Sequence, residues 1–382
     1  MPYPPAPVPH AASGPLLGLS FGVKDLFDVA GYPTSAGQPL WLALSGIKQS
    51  TAPTVQRLLD AGARFAGKTV TEELAFSMTG RNAHFGSPVN GAALQRIAGG
   101  SSSGSASAVS HRLCDFALGT DTGGSVRAPA NHCGLFGLRP THGRVSLNGA
   151  VDLAPSFDAC GWFARDIATF ARVADVLLGA DVAPLPAVAR LLAPSDVWAL
   201  LSAPVQDAFA APRARVEAAL GPAQRLEVAL DSFDAMFWSF RYLQGREAWQ
   251  SDGAFIERYQ PVLGAAVAQR FAWSRDVTDA QVAQASAFRA RFRAHLAALL
   301  GSDGVLVMPT MPDIAPLADA DEDGIENYRN QATYMLCIAG LAGFPQLSLP
   351  MAKRLGAPLG ISLLGPAGSD RSLVRLAERI LA

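Results

Sequence analysis

Gly119-Thr120-Asp121-Thr122-Gly123-Gly124-Ser125-Val126-Arg127 follows residues 115–119, a stretch that reads as a buried strand. A serine set directly after two glycines at a strand end organises the reading of the whole chain. With no Cβ atoms in the way, successive glycines let several backbone N–H groups converge. Such donors can stabilise the oxyanion of a tetrahedral intermediate. Ser125 at the tip of the turn is then placed to attack a carbonyl, provided a base takes its proton. Just upstream, Gly99-Gly100-Ser101-Ser102-Ser103-Gly104-Ser105-Ala106 has the composition of a linker. Its flanks argue otherwise: residues 105–113 read as a small-residue helix, and the glycine turn follows almost at once.

The base is not an evident histidine. Gly100-Ser101-Ser102-Ser103-Gly104 matches the G-x-S-x-G nucleophile elbow, which needs a hydrophobic strand before it and a histidine late in the chain. Residues 93–98 are mixed, and the one late histidine, His295, lies in an Arg-rich helical stretch. Serine–lysine variants of the triad exist, and a lysine buried in apolar surroundings can be neutral near pH 7. Lys24, between the apolar residues 19–23 and Leu26-Phe27, qualifies. Spacing alone leaves two roles open for it, a base or the ion-pair partner of a nearby carboxylate.

Two other patterns fail on context. Gly62-Ala63-Arg64-Phe65-Ala66-Gly67-Lys68-Thr69 matches the phosphate loop letter for letter, yet a helix precedes it and a strand falls inside it, the reverse of what that loop needs. Ser45-Gly46-Ile47-Lys48 has S-x-x-K spacing without the S-D-N or K-T-G partners, so a solvated lysine accounts for it.

Elsewhere, residues 51–61, 165–178, 330–342 and 369–381 read as helices, and 233–300 as mostly helical. Residues 63–66, 224–229, 305–308, 346–349 and 360–364 read as strands. Alternation of this kind implies a layered α/β fold with a substantially parallel sheet. A length of 382 residues with 49% apolar and 16% charged residues indicates a globular chain with a large core. A net charge of -1 implies no nucleic-acid partner. Cys114, Cys133, Cys160 and Cys337 show no metal-ligand spacing and read as buried free thiols. The first 15 residues carry six prolines and do not read as a signal peptide, and no apolar run is long enough to span a bilayer. A cytoplasmic location is therefore expected.

The chain resembles the amidase signature family. The resemblance rests on Gly22-Val23-Lys24-Asp25, the Gly99–Ala106 block, the Gly119–Arg127 turn, Met308-Pro309-Thr310-Met311-Pro312, Gly343-Phe344-Pro345 and Gly360-Ile361-Ser362-Leu363-Leu364-Gly365. It covers nearly the whole chain, and the family's two serines stand 24 positions apart, as Ser101 and Ser125 do here. The resemblance implies a central mixed, largely parallel twisted sheet with helices on both faces. It implies one domain over residues 1–382, with a motif core at 16–180, a variable helical covering region at 181–330 and a return to the sheet at 331–382.

It further implies that Ser125 is the acyl-enzyme nucleophile. Ser101, after a cis peptide bond at Gly100, would relay the proton, and Lys24 would be the base. Thr122, Gly123, Gly124 and Ser125 would supply oxyanion-hole N–H groups, and Asp121 and Arg127 would order the turn. The expected substrate is a small-molecule amide, with no metal, organic cofactor, nucleic acid or membrane as partner; a homodimer is left open. Many members carry a helical segment before the lysine, whereas 23 residues precede Lys24 here, which speaks against attachment through such a segment.

Gly80-Arg81-Asn82-Ala83-His84-Phe85-Gly86, Gly134-Leu135-Phe136-Gly137 and residues 156–165 look most like the indole-3-acetamide hydrolases and their plant relatives. Three of six tryptophans and four of six tyrosines fall between Trp238 and Tyr334, where they would line an aryl pocket or belong to the core of the covering helices. The alternatives are a silent binding module on the same fold, a subunit of a transamidating complex, or a hydrolase of urethanes, ureas or anilides.

Overall fold

A computed structural model describes residues 6–382. Ten strands form one sheet: β1 (Ser20–Lys24), β2 (Arg64–Thr69), β3 (Phe116–Asp121), β4 (Phe136–Arg139), β5 (Ala159–Ala164), β6 (Arg190–Pro194), β7 (Gln224–Leu226), β8 (Gly304–Pro309), β9 (Gln346–Arg354) and β10 (Ala357–Leu364). Their order across the sheet is β2-β1-β3-β5-β4-β9-β10-β8-β6-β7. Every residue of β1, β3, β4, β5, β8 and β10 is buried. Central strands covered on both faces read as continuous apolar runs, and that is how β1, β3 and β8 stand in the sequence.

The sheet is mixed, as expected, but less parallel than the alternation of strands and helices suggests. Four pairings are parallel and lie at the flanks, among β2, β1 and β3 and among β8, β6 and β7. Five antiparallel pairings fill the middle. One of these is the β9–β10 hairpin, closed by Leu355 and Gly356, both at positive φ (49° and 78°). Two successive positive φ values match the right-handed twist of the strands they join. The reading of 346–349 and 360–364 as separate short strands missed the turn, because Leu-Gly lacks the usual Asn-Gly or Asp-Gly signal. Strands β4, β5 and β6 were also missed, being short and, in β4 and β5, broken by glycine.

The helix Glu322–Ala342 begins eight residues earlier than its apolar periodicity suggests. Asp321 caps it by accepting from the N–H of Gly324 at 2.7 Å, and Glu322 and Asp323 favour the positive end of its dipole. The extra turns bring Glu326 and Arg329 into the structure around Ser125. The helix Phe233–Tyr259 is capped by Ser232, whose hydroxyl accepts from the N–H of Ala235 at 3.0 Å, and Asp279–Leu300 by the Thr278/Gln281 capping box. All four cysteines are free and buried. Among the described residues, no helix is long and apolar enough to cross a membrane.

Trp162 in β5 is fully buried and stacks on Phe170 of the helix Ile167–Leu177, with ring centroids 5.0 Å apart. Its indole N–H has no partner. Trp162→Ala is expected to destabilise the protein by about 3–5 kcal/mol in chemical denaturation. Trp162→Phe, which keeps a stacking ring and removes the unpartnered donor, should cost clearly less; equal losses would contradict this account of the packing.

Candidate active site

Parallel β1 and β3 end side by side, with Val23 in register with Leu118. The next residues therefore meet: Lys24 closes β1, and Thr120-Asp121 close β3. Lys24 is fully buried, and its Nζ donates to Ser101 Oγ and to Thr120 Oγ1, both at 2.7 Å. It makes no ion pair, which removes the alternative left open by spacing. Burial pulls its pKa from 10.5 down to about 7, against the raising effect of Glu72, Asp158 and Asp121. A lysine in that state can take and return a proton near neutrality.

Ser101 follows a cis peptide bond from Gly100. Its carbonyl accepts from the N–H of Glu72 at 3.0 Å and from Thr71 Oγ1 at 3.1 Å. Glu72 is buried, and its Oε1 accepts from the N–H of Thr79 (2.9 Å), Thr79 Oγ1 (2.7 Å), the N–H of Arg81 (3.0 Å) and the N–H of Gly80. Gly100 lies so close that a Cβ there would sit 2.7 Å from Glu72 Cδ. Glu72 thus fixes the loop before Ser101, and the helix Ser103–Ser110 fixes the chain after it.

The turn bearing Ser125 is held by Asp121. Arg127 grips this carboxylate with Nε at 3.0 Å and Nη2 at 2.8 Å, and Arg139 Nη1 adds a contact at 3.1 Å; all three side chains are fully buried. Burial alone would raise the pKa of Asp121, but Arg127 and Arg139 hold it well below the usual carboxylate range. The carboxylate also accepts from the N–H groups of Gly124, Val126 and Arg127 at 3.0, 3.1 and 3.2 Å. Of the four N–H groups expected at an oxyanion, that of Gly124 donates to Asp121 here, and those of Thr122, Gly123 and Ser125 do not. Gly124 serves the turn differently, with a φ of 126° and no room for a Cβ, which would meet Leu336 Cδ1 at 2.4 Å.

Ser125 is 5% exposed, and its carbonyl accepts from the N–H of Ser102 at 3.4 Å. Among the described residues its hydroxyl makes no hydrogen bond, while Lys24 and Ser101 are joined directly. It faces a tight cleft shared with Met78, Phe240, Arg241, Gln244 and Arg329, whose free space of about 20 Å³ holds roughly one water. Ser77 and Arg241 separate this cleft from an outer vestibule of about 780 Å³ that carries Trp238 and Trp273. The rings lining the cleft at Ser125 are Phe76 and Phe240, whereas Trp238 and Trp273 line the vestibule. Among the described residues, no group of three or more His, Cys, Asp or Glu side chains is placed to hold a metal ion.

The sequence model of the family described as Amidase matches residues 6–213 and 242–374. This chain belongs to the amidase family. It is 38% identical to "Amidase 1" of Arabidopsis thaliana, with 99% of this chain and 96% of that protein aligned. It is 34% identical to "Outer envelope protein 64, chloroplastic" of the same plant, with 97% and 67% aligned. A solved structure described as "Crystal structure of amidase" superposes with a TM-score of 0.86 at 30% identity, covering 96% of this chain and 85% of that one. The chain is accordingly a hydrolase of amide C–N bonds.

Sequence reasoning missed several groups around this amidase site. Thr120 lay inside the quoted turn but carried no signal of its own, since only the strand register brings its hydroxyl to Lys24. Arg139, Asp158 and Glu72 are far from the motif serines in sequence. Asp158 accepts from Thr122 Oγ1 and, at 2.9 Å, from the N–H of Leu153. The phosphate-loop match is occupied by β2, and its Lys68 is bound to Asp25 at 2.7 Å and to the carbonyl of Phe27 at 2.6 Å.

Lys24 has a consequence for stability. Its folded pKa of about 7 lies below the 10.5 expected when unfolded. Between these values the unfolded chain holds a proton that the folded one lacks, so burying Lys24 costs stability near pH 7 and that cost is relieved as pH rises towards 10.5. Wild-type stability relative to Lys24→Met should therefore increase from pH 7 to pH 9, measured by thermal melting. A difference that stays flat across that window would show that Lys24 is not depressed.

Proposed function

We propose that the chain hydrolyses a linear carboxylic amide through an acyl-enzyme on Ser125, with Ser101 and Lys24 as proton relay. The observation that carries this reading is the buried Lys24, hydrogen-bonded at 2.7 Å to Ser101 and free of any carboxylate partner. Neutral Lys24 Nζ takes the proton of Ser101 Oγ as Ser101 takes that of Ser125, and Ser125 Oγ bonds to the amide carbon. The negative charge moves to the carbonyl oxygen, where the N–H groups of Gly123, Ser125 and Thr122 receive it. The proton returns by the same relay to the amide nitrogen, the C–N bond breaks, and an acyl ester remains on Ser125. Water then repeats the sequence on the ester and releases the carboxylic acid.

The cleft favours a compact acyl group at Ser125. A phenyl or indole ring, as in the aryl acetamides suggested by the sequence, would have to lie outside it against Trp238 and Trp273.

Ammonia release from a panel of primary amides tests the reading: propanamide, malonamide, glutamine, phenylacetamide and indole-3-acetamide. Ser125→Ala should abolish turnover, and Lys24→Ala should lower kcat/KM by roughly 10²–10⁴-fold, the usual range for general acid–base work. Ser101→Ala should fall between wild type and these. The wild-type rate should rise about tenfold per pH unit below about 7 and level off above it, as Lys24 loses its proton. A wild-type rate in Lys24→Ala at pH 7 would sink the relay.

A further inference from the structure

The cleft at Ser125 is a cationic one. Arg241 comes from the helix Phe233–Tyr259 and Arg329 from the helix Glu322–Ala342; both line it together with Ser125. A third guanidinium, Arg270 of the helix Ala265–Arg275, stands behind them. One carboxylate serves the group: Glu326 accepts from Arg329 Nη1 at 2.6 Å and from Arg270 Nη2 at 3.1 Å. Arg270 also donates to the carbonyl of Phe76 at 3.2 Å. Among the described residues Arg241 makes no hydrogen bond or ion pair; its guanidinium packs against the rings of Trp273 (5.0 Å) and Phe237 (5.8 Å), and Glu326 acts on it from a distance. Gln244, 7% exposed, lines the same cleft and likewise has no hydrogen-bond partner.

Burying cations without matching anions is unfavourable, and the molecule registers it: burial, together with Arg270 and Arg241, lowers Arg329 to about 9. Such a surplus needs a reason. It is not what chiefly sets the base, since the largest charge effects on Lys24 are those of Glu72, Asp158 and Asp121. Apart from Glu326, the acidic side chains of the vestibule are engaged elsewhere. Glu73 is bound to His84 at 2.8 Å and to the N–H of Gly264 at 2.9 Å, and Glu322 and Asp323 sit in the first turn of their helix. What remains is a set of donors lining the space in front of the nucleophile: the guanidinium of Arg241, the Arg329 N–H groups that Glu326 does not take, and the amide of Gln244. A planar anion with two acceptor oxygens matches them.

The geometry points to a substrate that carries its own carboxylate: a monoamide of a short α,ω-dicarboxylic acid, bound with its amide carbon at Ser125 and its carboxylate between Arg241 and Arg329. This rests on the amide hydrolysis proposed above and names the class of amide. The tightness of the cleft sets the short spacer, and Arg241, which lines both cleft and vestibule, lies where an entering anion would meet it first. Arg241 and Arg329 are binding residues here, with no part in the proton relay.

The decisive comparison is kcat/KM for succinamate against the neutral succinamide, with indole-3-acetamide alongside, on the full chain. The anion should be preferred by roughly 10–100-fold, the range expected for charge-assisted hydrogen bonds. Arg241→Gln should lower that preference at least tenfold; Arg241 makes no hydrogen bond or ion pair among the described residues, so this variant does not depend on Arg329→Gln remaining folded. Succinate itself should raise the melting temperature of the wild type and do so less in Arg241→Gln. Equal rates on succinamate and succinamide, or a preference unchanged in Arg241→Gln, would overturn the inference, as would a preference for indole-3-acetamide, while leaving amide hydrolysis intact. Arg241-dependent binding of succinate without hydrolysis of any amide would instead support the anion site and remove the hydrolytic reading.

Discussion

The site depends on the carboxylate of Asp121. It is fully buried, yet two guanidiniums and three backbone N–H groups converge on it. Through Arg127 it reaches the carbonyl of Leu336 at 2.8 Å and Gln346 Oε1 at 2.6 Å, and through Arg139 the carbonyl of Phe157 at 2.6 Å. The turn carrying Ser125 is thereby fastened to the helix Glu322–Ala342, to β9 and to the approach to β5. Removing one partner of a buried ion pair typically costs about 3–5 kcal/mol, because the other charge is left uncompensated. A loop rich in glycine would otherwise sample many conformations; here the ionic node fixes one of them and aims its N–H groups.

Lys24 shows what happens to a buried charge denied such a partner. Lys68, on the neighbouring strand β2, is also buried but lies 2.7 Å from Asp25. Lys24 touches only hydroxyls, those of Ser101 and Thr120. Hydroxyls can receive its hydrogen bonds but cannot balance a full charge, so desolvation dominates and the amine can exist neutral near pH 7. The carboxylates of Glu72, Asp158 and Asp121 act on it from a distance and limit the fall. The difference between the two lysines thus lies in whether a carboxylate or only hydroxyls meet the amine.

What was legible in the sequence divides along the same line. Lys24, Ser101 and Ser125 could be found because glycine turns, apolar flanks and family spacing are local or countable signals. The helices with strong periodicity and the strands with continuous apolar runs were legible for the same reason. Thr120 and Glu72 were not, since their roles exist only once β1 pairs with β3 and the loop before Ser101 packs on residues 72–81. The family resemblance implies an oxyanion role for the Gly124 N–H, and no local signal in the sequence shows that this N–H also meets Asp121 at 3.0 Å. The tryptophans were misplaced for a related reason. Aromatic clustering along a chain reports burial, and the helices carry Trp238 and Trp273 to the vestibule rather than to Ser125.

The carboxylates that act on Lys24 and the guanidiniums that line the cleft come from different elements, and that separation is the last constraint on the site. Carboxylates act on Lys24, whereas guanidiniums line the cleft on the other side of Ser125. Were the arginines near the amine, they would depress its pKa further and weaken it as a base; were the carboxylates in the cleft, they would oppose negative charge developing on the substrate oxygen. The fold avoids both by drawing the two sets from different places. The carboxylates belong to the sheet end and its loops, at Glu72, Asp121 and Asp158, while the arginines come from helices laid over that end, at Arg241 and Arg329. A change in the covering helices can therefore alter what the cleft binds while leaving the hydrogen bond between Lys24 and Ser101 unchanged.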